Sequence, residues 1–242
     1  MLQSLAGLIR SLRIYRNRAH LDSLTRFCGE VAPDANLVFD VGAHVGDRIS
    51  AFRRKGARVL ALEPQRLLAG WLRARFALDR NVTIIQAAAG AAEGHATMLV
   101  NRSNPTVTSL SEGFVEGTEG AEGWEGQDWD GRAETRLTTL DRLIARHGVP
   151  DFIKIDAEGY EAEVLRGLTR EVPALSFEVT MVARAAGQAA LTEAIRLGFT
   201  RYRLSLGESH VWETDWMDAA ETQVLIDTLP DAANSGDIFA RR

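Results

Sequence analysis

Two short apolar runs, 37–41 and 59–62, each bring a carboxylate to their C-terminal end, Asp40 and Glu63, and the first is followed by Gly42 and Gly46. Runs this short and this apolar read as buried parallel strands. Open α/β sheets bind ligands at the edge where such strands end. Glycine there lets the backbone approach a ligand with no Cβ in the way. The expected helix 47–55 points its N–H groups and positive dipole end at the same place. A carboxylate after the second strand can accept hydrogen bonds from two ribose hydroxyls. The pattern predicts an adenosine-containing cofactor.

The loop itself narrows the choice. The dinucleotide fingerprint needs a middle glycine so that a pyrophosphate can reach the backbone. Here the loop is Gly42-Ala43-His44-Val45-Gly46, with His44 at that place. Asp40 repels a pyrophosphate and suits a cation, such as the ammonium of an amino acid. S-adenosylmethionine carries an ammonium, a sulfonium and a ribose, and no phosphate. The plainer reading makes Asp40 a turn cap and the glycines mere packing. It leaves Glu63 without a reason.

The rest of the chain fits this frame. At 242 residues it holds one α/β domain and an addition, with a core large enough to need no staples. The net charge of -5 gives no nucleic-acid footprint. Cys28 is the single cysteine, so no intrachain disulfide forms, which suits a reducing, cytoplasmic setting. No apolar run reaches the roughly 20 residues that span a bilayer. Residues 1–21 hold Arg10, Arg13, Arg16 and Arg18, no acid, and leucine or isoleucine at 2, 5, 8, 9 and 12. That spacing predicts a basic amphipathic helix. Its arginines follow the apolar residues, unlike a signal peptide. Such a helix packs on the domain or on a second subunit, or lies on a membrane surface.

Further along, strands are expected at 82–86, 95–101, 134–138, 150–155, 174–177, 200–206 and 237–240. Helices are expected at 67–78, 139–147, 161–167, 188–197 and 216–225, with Thr139 as an N-cap. The alternation predicts a doubly wound sheet closed by a C-terminal hairpin. Residues 112–131 break it with six glycines, seven acids and no Lys or Arg. A loop this long is functional or disordered. Trp124 and Trp129 within it argue for partial order, as a flap over the substrate or as a plain insertion.

The blocks VFDVGAHVGD, ALEP, VTIIQAAAG, TTLDRLI, FIKIDAEGYEAEVLRG and SFEV, in this order, resemble the FkbM-type methyltransferases between residues 37 and 180. The resemblance implies a class I, S-adenosylmethionine-dependent enzyme with a Rossmann-like, seven-stranded α/β sheet, mostly parallel with an antiparallel C-terminal hairpin. Composition and pattern divide the chain into an N-terminal basic amphipathic helical appendage over 1–34 and a methyltransferase domain over 35–242 that carries the glycine-rich, acidic, flexible insert at 112–131. The resemblance places Asp40, Gly42 and Gly46 at the methionine part of the cofactor, with His44 in the same loop where the family often has Asn. It places Glu63 at the ribose, Gln86 and Ala87 at the adenine, and Asp156, Glu158 and Gly159 near the transferred methyl.

Methyl transfer to a hydroxyl needs alignment and a proton acceptor. The strand-end candidates are Asp156, Glu158 and Glu178; His44 and His210 have a suitable ordinary pKa. Asp156 and Glu158 could alternatively hold Mg²⁺. The bland alternative for Asp156 is a helix cap. Family habit implies O-methylation of a sugar, glycan or secondary metabolite; the charge balance points away from nucleic acid, and the N-terminal helix allows a homo-oligomer. The competing readings are a non-catalytic S-adenosylmethionine-binding module and a nicotinamide-dependent oxidoreductase. The missing middle glycine counts against the latter.

Overall fold

The computed structural model describes residues 2–242, without the side chain of Leu2. Five parallel strands form the centre of the sheet. They are β1 (Leu37–Val41), β2 (Arg58–Leu62), β3 (Val82–Ile85), β7 (Phe152–Ile155) and β8 (Ala174–Thr180). Two more close one side, β9 (Arg201–Leu206) and β10 (Ser235–Arg241), and the order across the sheet is β3-β2-β1-β7-β8-β10-β9. β10 runs antiparallel to both its neighbours, so the C-terminal hairpin is present as expected. The chain reverses direction across β1: β2 and β3 lie to one side, β7 and β8 to the other. That reversal opens the crevice in which such sheets bind ligands.

Helices cover both faces: α3 (Asp47–Arg54), α4 (Arg66–Arg75), α6 (Leu140–His147), α7 (Glu161–Arg166), α8 (Arg184–Arg196) and α9 (Ala219–Thr228). Thr139 caps α6 by accepting from the Arg142 N–H, as its position predicts. Every residue of β1 and β7 is buried. Such burial explains their unbroken apolar character, to which Asp40 and Lys154 are the exceptions.

A second sheet is not foreseen in the sequence. Ala88 and Ala89 form β4 and pair with β6 (Gly131–Thr138), which pairs in turn with β5 (Gly94–Val100). β6 starts three residues earlier than its alternation suggests.

The N-terminal segment is two helices, α1 (Leu2–Tyr15) and α2 (Arg18–Val31). Asn17 breaks them apart, since its side chain caps α2. Leu24, Phe27 and Cys28 of α2 pack into the core with Val38, Phe52 and Phe239. Cys28 is therefore a packed hydrophobe. Its thiol is pushed up to about 12 by burial. No helix among the described residues is long and apolar enough to cross a membrane.

The insert is folded. It begins with α5 (Glu112–Gly117), capped by Ser111, and turns carry it to β6. Phe114 is fully buried, with Trp124 and Trp129 packed edge-on against its ring. The Trp129 indole N–H donates to the Val107 carbonyl at 2.8 Å. The tryptophans thus pack the segment onto its own helix and onto the strand-end loops.

Candidate active site

The glycine loop joins β1 to α3 by contacts that admit few other residues. A Cβ on Gly42 would stand 1.8 Å from the Asp156 carbonyl oxygen, because β1 and β7 release their chains side by side. The Gly42 and Ala43 N–H groups donate to Leu62 of β2. His44 takes a left-handed conformation, φ 48°. Its N–H donates to Glu63 Oε2 at 2.9 Å, and the Gln65 N–H donates to Glu63 Oε1 at 2.8 Å. Glu63 therefore pins the two loops together while it faces the crevice.

A cavity of about 450 Å³ lies over these strand ends. Asp40, Gly42, His44, Glu63, Ala87, Asp156 and Glu158 line it, as their positions lead one to expect, and Glu178 joins them. Four residues do not fit the expectation, the first being Gly159, which does not line the cavity and instead lies against Phe114, 2.7 Å from where its Cβ would stand. Gln86 is not among the lining residues; its side chain accepts from the Arg73 guanidinium. Gly46 stands behind the loop, where its missing Cβ makes room for Leu72 at 2.7 Å. Its part is to start α3. His210 lines a small neighbouring void and pairs with Glu208, 3.2 Å away.

The roof comes from elements with no motif. Arg10, Ser11, Ile14 and Tyr15 of α1 line the cavity, and so does Trp124 of the insert. Ser11 Oγ lies 3.0 Å from His44 Nε2, and the Tyr15 ring meets the His44 ring edge-on. Burial holds the His44 imidazole below its ordinary pKa, so it is neutral near pH 7.

The floor carries charge. Lys154 Nζ donates to Asp237 Oδ1 at 2.6 Å and to Asp156 Oδ2 at 3.3 Å. Arg48 lies 3.3 Å from Asp237 and 3.8 Å from Glu208. Burial opposes the Asp156 carboxylate, but Lys154 and Arg48 outweigh it and hold the group below the usual carboxylate range. Burial, then Asp156, push Glu158 and Glu178 well above that range. Asp156, Glu158 and Glu178 each bring a carboxylate oxygen within 4.8 Å of the others. Across the cavity, burial pushes Asp40 up to about 7 and Glu63 up to about 8.

A family model for the methyltransferase FkbM domain matches residues 40–205, from β1 into β9. The chain belongs to the FkbM methyltransferase family. It is an S-adenosylmethionine-dependent methyltransferase. A search of curated proteins finds no match. Among solved structures, this methyltransferase is similar to a TehB-like S-adenosylmethionine-dependent methyltransferase from Corynebacterium glutamicum, at 10% identity and TM-score 0.47, over 96% of this chain and 93% of that one. It is similar to an O-methyltransferase from Bacillus cereus in complex with SAH, at 10% identity and TM-score 0.47, over 98% and 90%. A precorrin-6y C5,15-methyltransferase from Geobacter metallireducens matches at 15% identity and TM-score 0.41, over 93% and 86%. Likenesses of this size carry nothing about activity or substrate.

The cavity suits the cofactor of this family. Among the described residues, Asp40 Oδ2 is buried and has no hydrogen-bond partner. A buried carboxylate oxygen with no partner at the wall of the cavity is a socket for a cation, and the cofactor brings two. Lys154, Arg48, Tyr15, Ser11 and Asp237 are site residues that sequence reasoning missed. Lys154 alone gave a signal, as a charge inside an otherwise apolar strand.

Proposed function

We propose that this methyltransferase methylates a hydroxyl oxygen on a sugar, glycan or secondary metabolite. The observation that carries the reading is Asp156, held ionised by Lys154 and Arg48 in the same cavity as Asp40 and Glu63. S-adenosylmethionine, when bound, supplies a methyl group activated by the positive sulfur. Asp40 pairs with the ammonium of the methionine part, beside the backbone of Gly42 and His44. Glu63 accepts from the ribose hydroxyls, and Ala87 leaves room for the adenine. The acceptor hydroxyl gives its proton to Asp156. A carboxylate held below its usual pKa is a weak base, so it would take the proton only as the new C–O bond forms and the sulfur–methyl bond breaks, its electron pair returning to sulfur to leave S-adenosylhomocysteine. A positioned proton acceptor speeds such a step by about 10²–10⁴-fold. Tyr15 and Trp124 line the cavity above this place.

The cluster of three carboxylates also favours a second reading, with Mg²⁺ held by Asp156 and Glu158. Lys154 already supplies a cation against Asp156, which makes proton acceptance the better supported role.

Mass spectrometry of the purified protein should show a retained S-adenosyl ligand. A screen of hydroxylated, amine and thiol acceptors should then give a methyl gain on hydroxyls. Transfer to nitrogen or sulfur alone would overturn the reading. A retained ligand with no turnover on any acceptor would favour a binding module.

A further inference from the structure

We propose that the outer face of α1 and α4 docks on an anionic phospholipid bilayer. On its inner side α1 packs Leu8 against Val45 and Leu68. Its outer side leaves Leu5 47% and Ile9 43% exposed, and exposed Arg13 and Arg16 continue the same stripe. α4 lies alongside, with its Trp71 ring under the Arg16 guanidinium at 5.4 Å. It exposes Leu67, Arg66, Arg73 and Arg75, and Leu78 just beyond its end is 98% exposed. Among the described residues, five of the nine large exposed apolar side chains fall in these two segments. Segments 1–21 and 66–80 hold eight of the 28 Lys and Arg residues and one of the 33 acids. That acid, Asp79, is taken by Arg53 at 2.7 Å.

A positive face on a chain of net charge -5 is segregated charge. Arginines interleaved with exposed leucine and isoleucine fit a bilayer surface, where the aliphatic groups enter the headgroup boundary and the guanidinia meet lipid phosphates. Single-stranded nucleic acid would instead call for aromatic stacking platforms, and the exposed apolar groups here are aliphatic. The same helix walls the cavity with Arg10, Ser11, Ile14 and Tyr15, so docking brings the cavity to the lipid surface. The inference goes beyond the proposed reaction and does not depend on the acceptor atom.

The test is sedimentation of the full chain with phosphatidylglycerol–phosphatidylcholine vesicles and with phosphatidylcholine vesicles alone. Binding to the anionic vesicles that weakens with salt is expected. Each arginine near the surface contributes about fivefold. The double variant Arg13→Glu, Arg73→Glu should therefore bind at least about 25-fold more weakly. Ile9→Ser with Leu67→Ser should also bind more weakly, and both should keep normal S-adenosylmethionine affinity, which reports an intact fold. Equal binding to both vesicle types, or no loss in either double variant, overturns the proposal. So does a salt-sensitive homodimer without vesicle binding, which would place a second copy on this face.

Discussion

Asp40 and Glu63 are carboxyl groups held where burial favours their neutral forms, and that cost is reasonable only if a cation or a set of hydroxyls arrives. Glu63 already accepts two backbone N–H bonds, and its remaining lone pairs face the cavity. Glu63→Ala should weaken S-adenosylmethionine binding by at least about tenfold, since each buried ribose hydroxyl left without a partner costs roughly 1–3 kcal/mol. Calorimetric titration reads this directly; unchanged affinity would remove Glu63 from the ribose. Asp156→Asn keeps shape and capping ability and loses the charge. If Asp156 takes the proton, turnover should fall by about 10² or more with little change in cofactor affinity. If it only caps, the loss should be small, because Asn caps about as well as Asp. EDTA added to the unaltered enzyme separates the roles: indifference supports proton transfer, and a loss restored by Mg²⁺ supports a metal.

At the scale of elements, the insert and the DAEG turn are one packed unit. Ser109 Oγ donates to the Glu158 carbonyl at 2.6 Å, and a Cβ on Gly159 would come within 2.7 Å of Phe114. Glu158 itself sits at φ 53°, a conformation its surroundings must hold in place. Phe114→Ala should cost about 3–5 kcal/mol, as large-to-small changes in tight cores do. It should also slow turnover by freeing the Glu158 turn. Urea denaturation and steady-state kinetics on the same variant check both. A midpoint close to that of the unaltered protein would mean that the insert behaves as the free flap its composition suggests.

For the whole molecule, the buried carboxyls set a pH dependence. Asp40 moves from 3.8 to about 7 on folding and Glu63 from 4.5 to about 8. Below about pH 3 they are neutral in both states and contribute no difference. As pH rises, the unfolded chain ionises first and the folded chain keeps its protons, so stability is lost up to about pH 8. His20, raised chiefly by its hydrogen bond to Asp47, acts in the same direction. His44, lowered by burial, opposes it only near and below its ordinary 6.5. The cofactor-free protein should therefore have a lower denaturation midpoint at pH 8 than at pH 6.5. S-adenosylmethionine should narrow the gap by pairing with ionised Asp40. A midpoint that is flat or rises over this interval would show that these carboxyls are already charged and paired.

The sequence by itself determined the alternation of strands and helices in the main sheet, the glycine loop and the carboxylates at the strand ends. These are local: an apolar run, a left-handed turn and a strand end are written within ten residues, and they also carry the family resemblance. The tertiary structure alone decided what surrounds them. Lys154 meets Asp237 83 residues away, Arg48 meets Asp237 across 189, and Ser11 meets His44 across 33. No periodicity encodes such pairs. They follow from the sheet order that sets β10 two strands from β7 and from the docking of α1 over the loop. The same packing turned Gln86 outward, put Gly46 behind the loop and set His210 beside the cavity. Those outcomes depend on which neighbour each side chain meets, and only the folded chain supplies the neighbours.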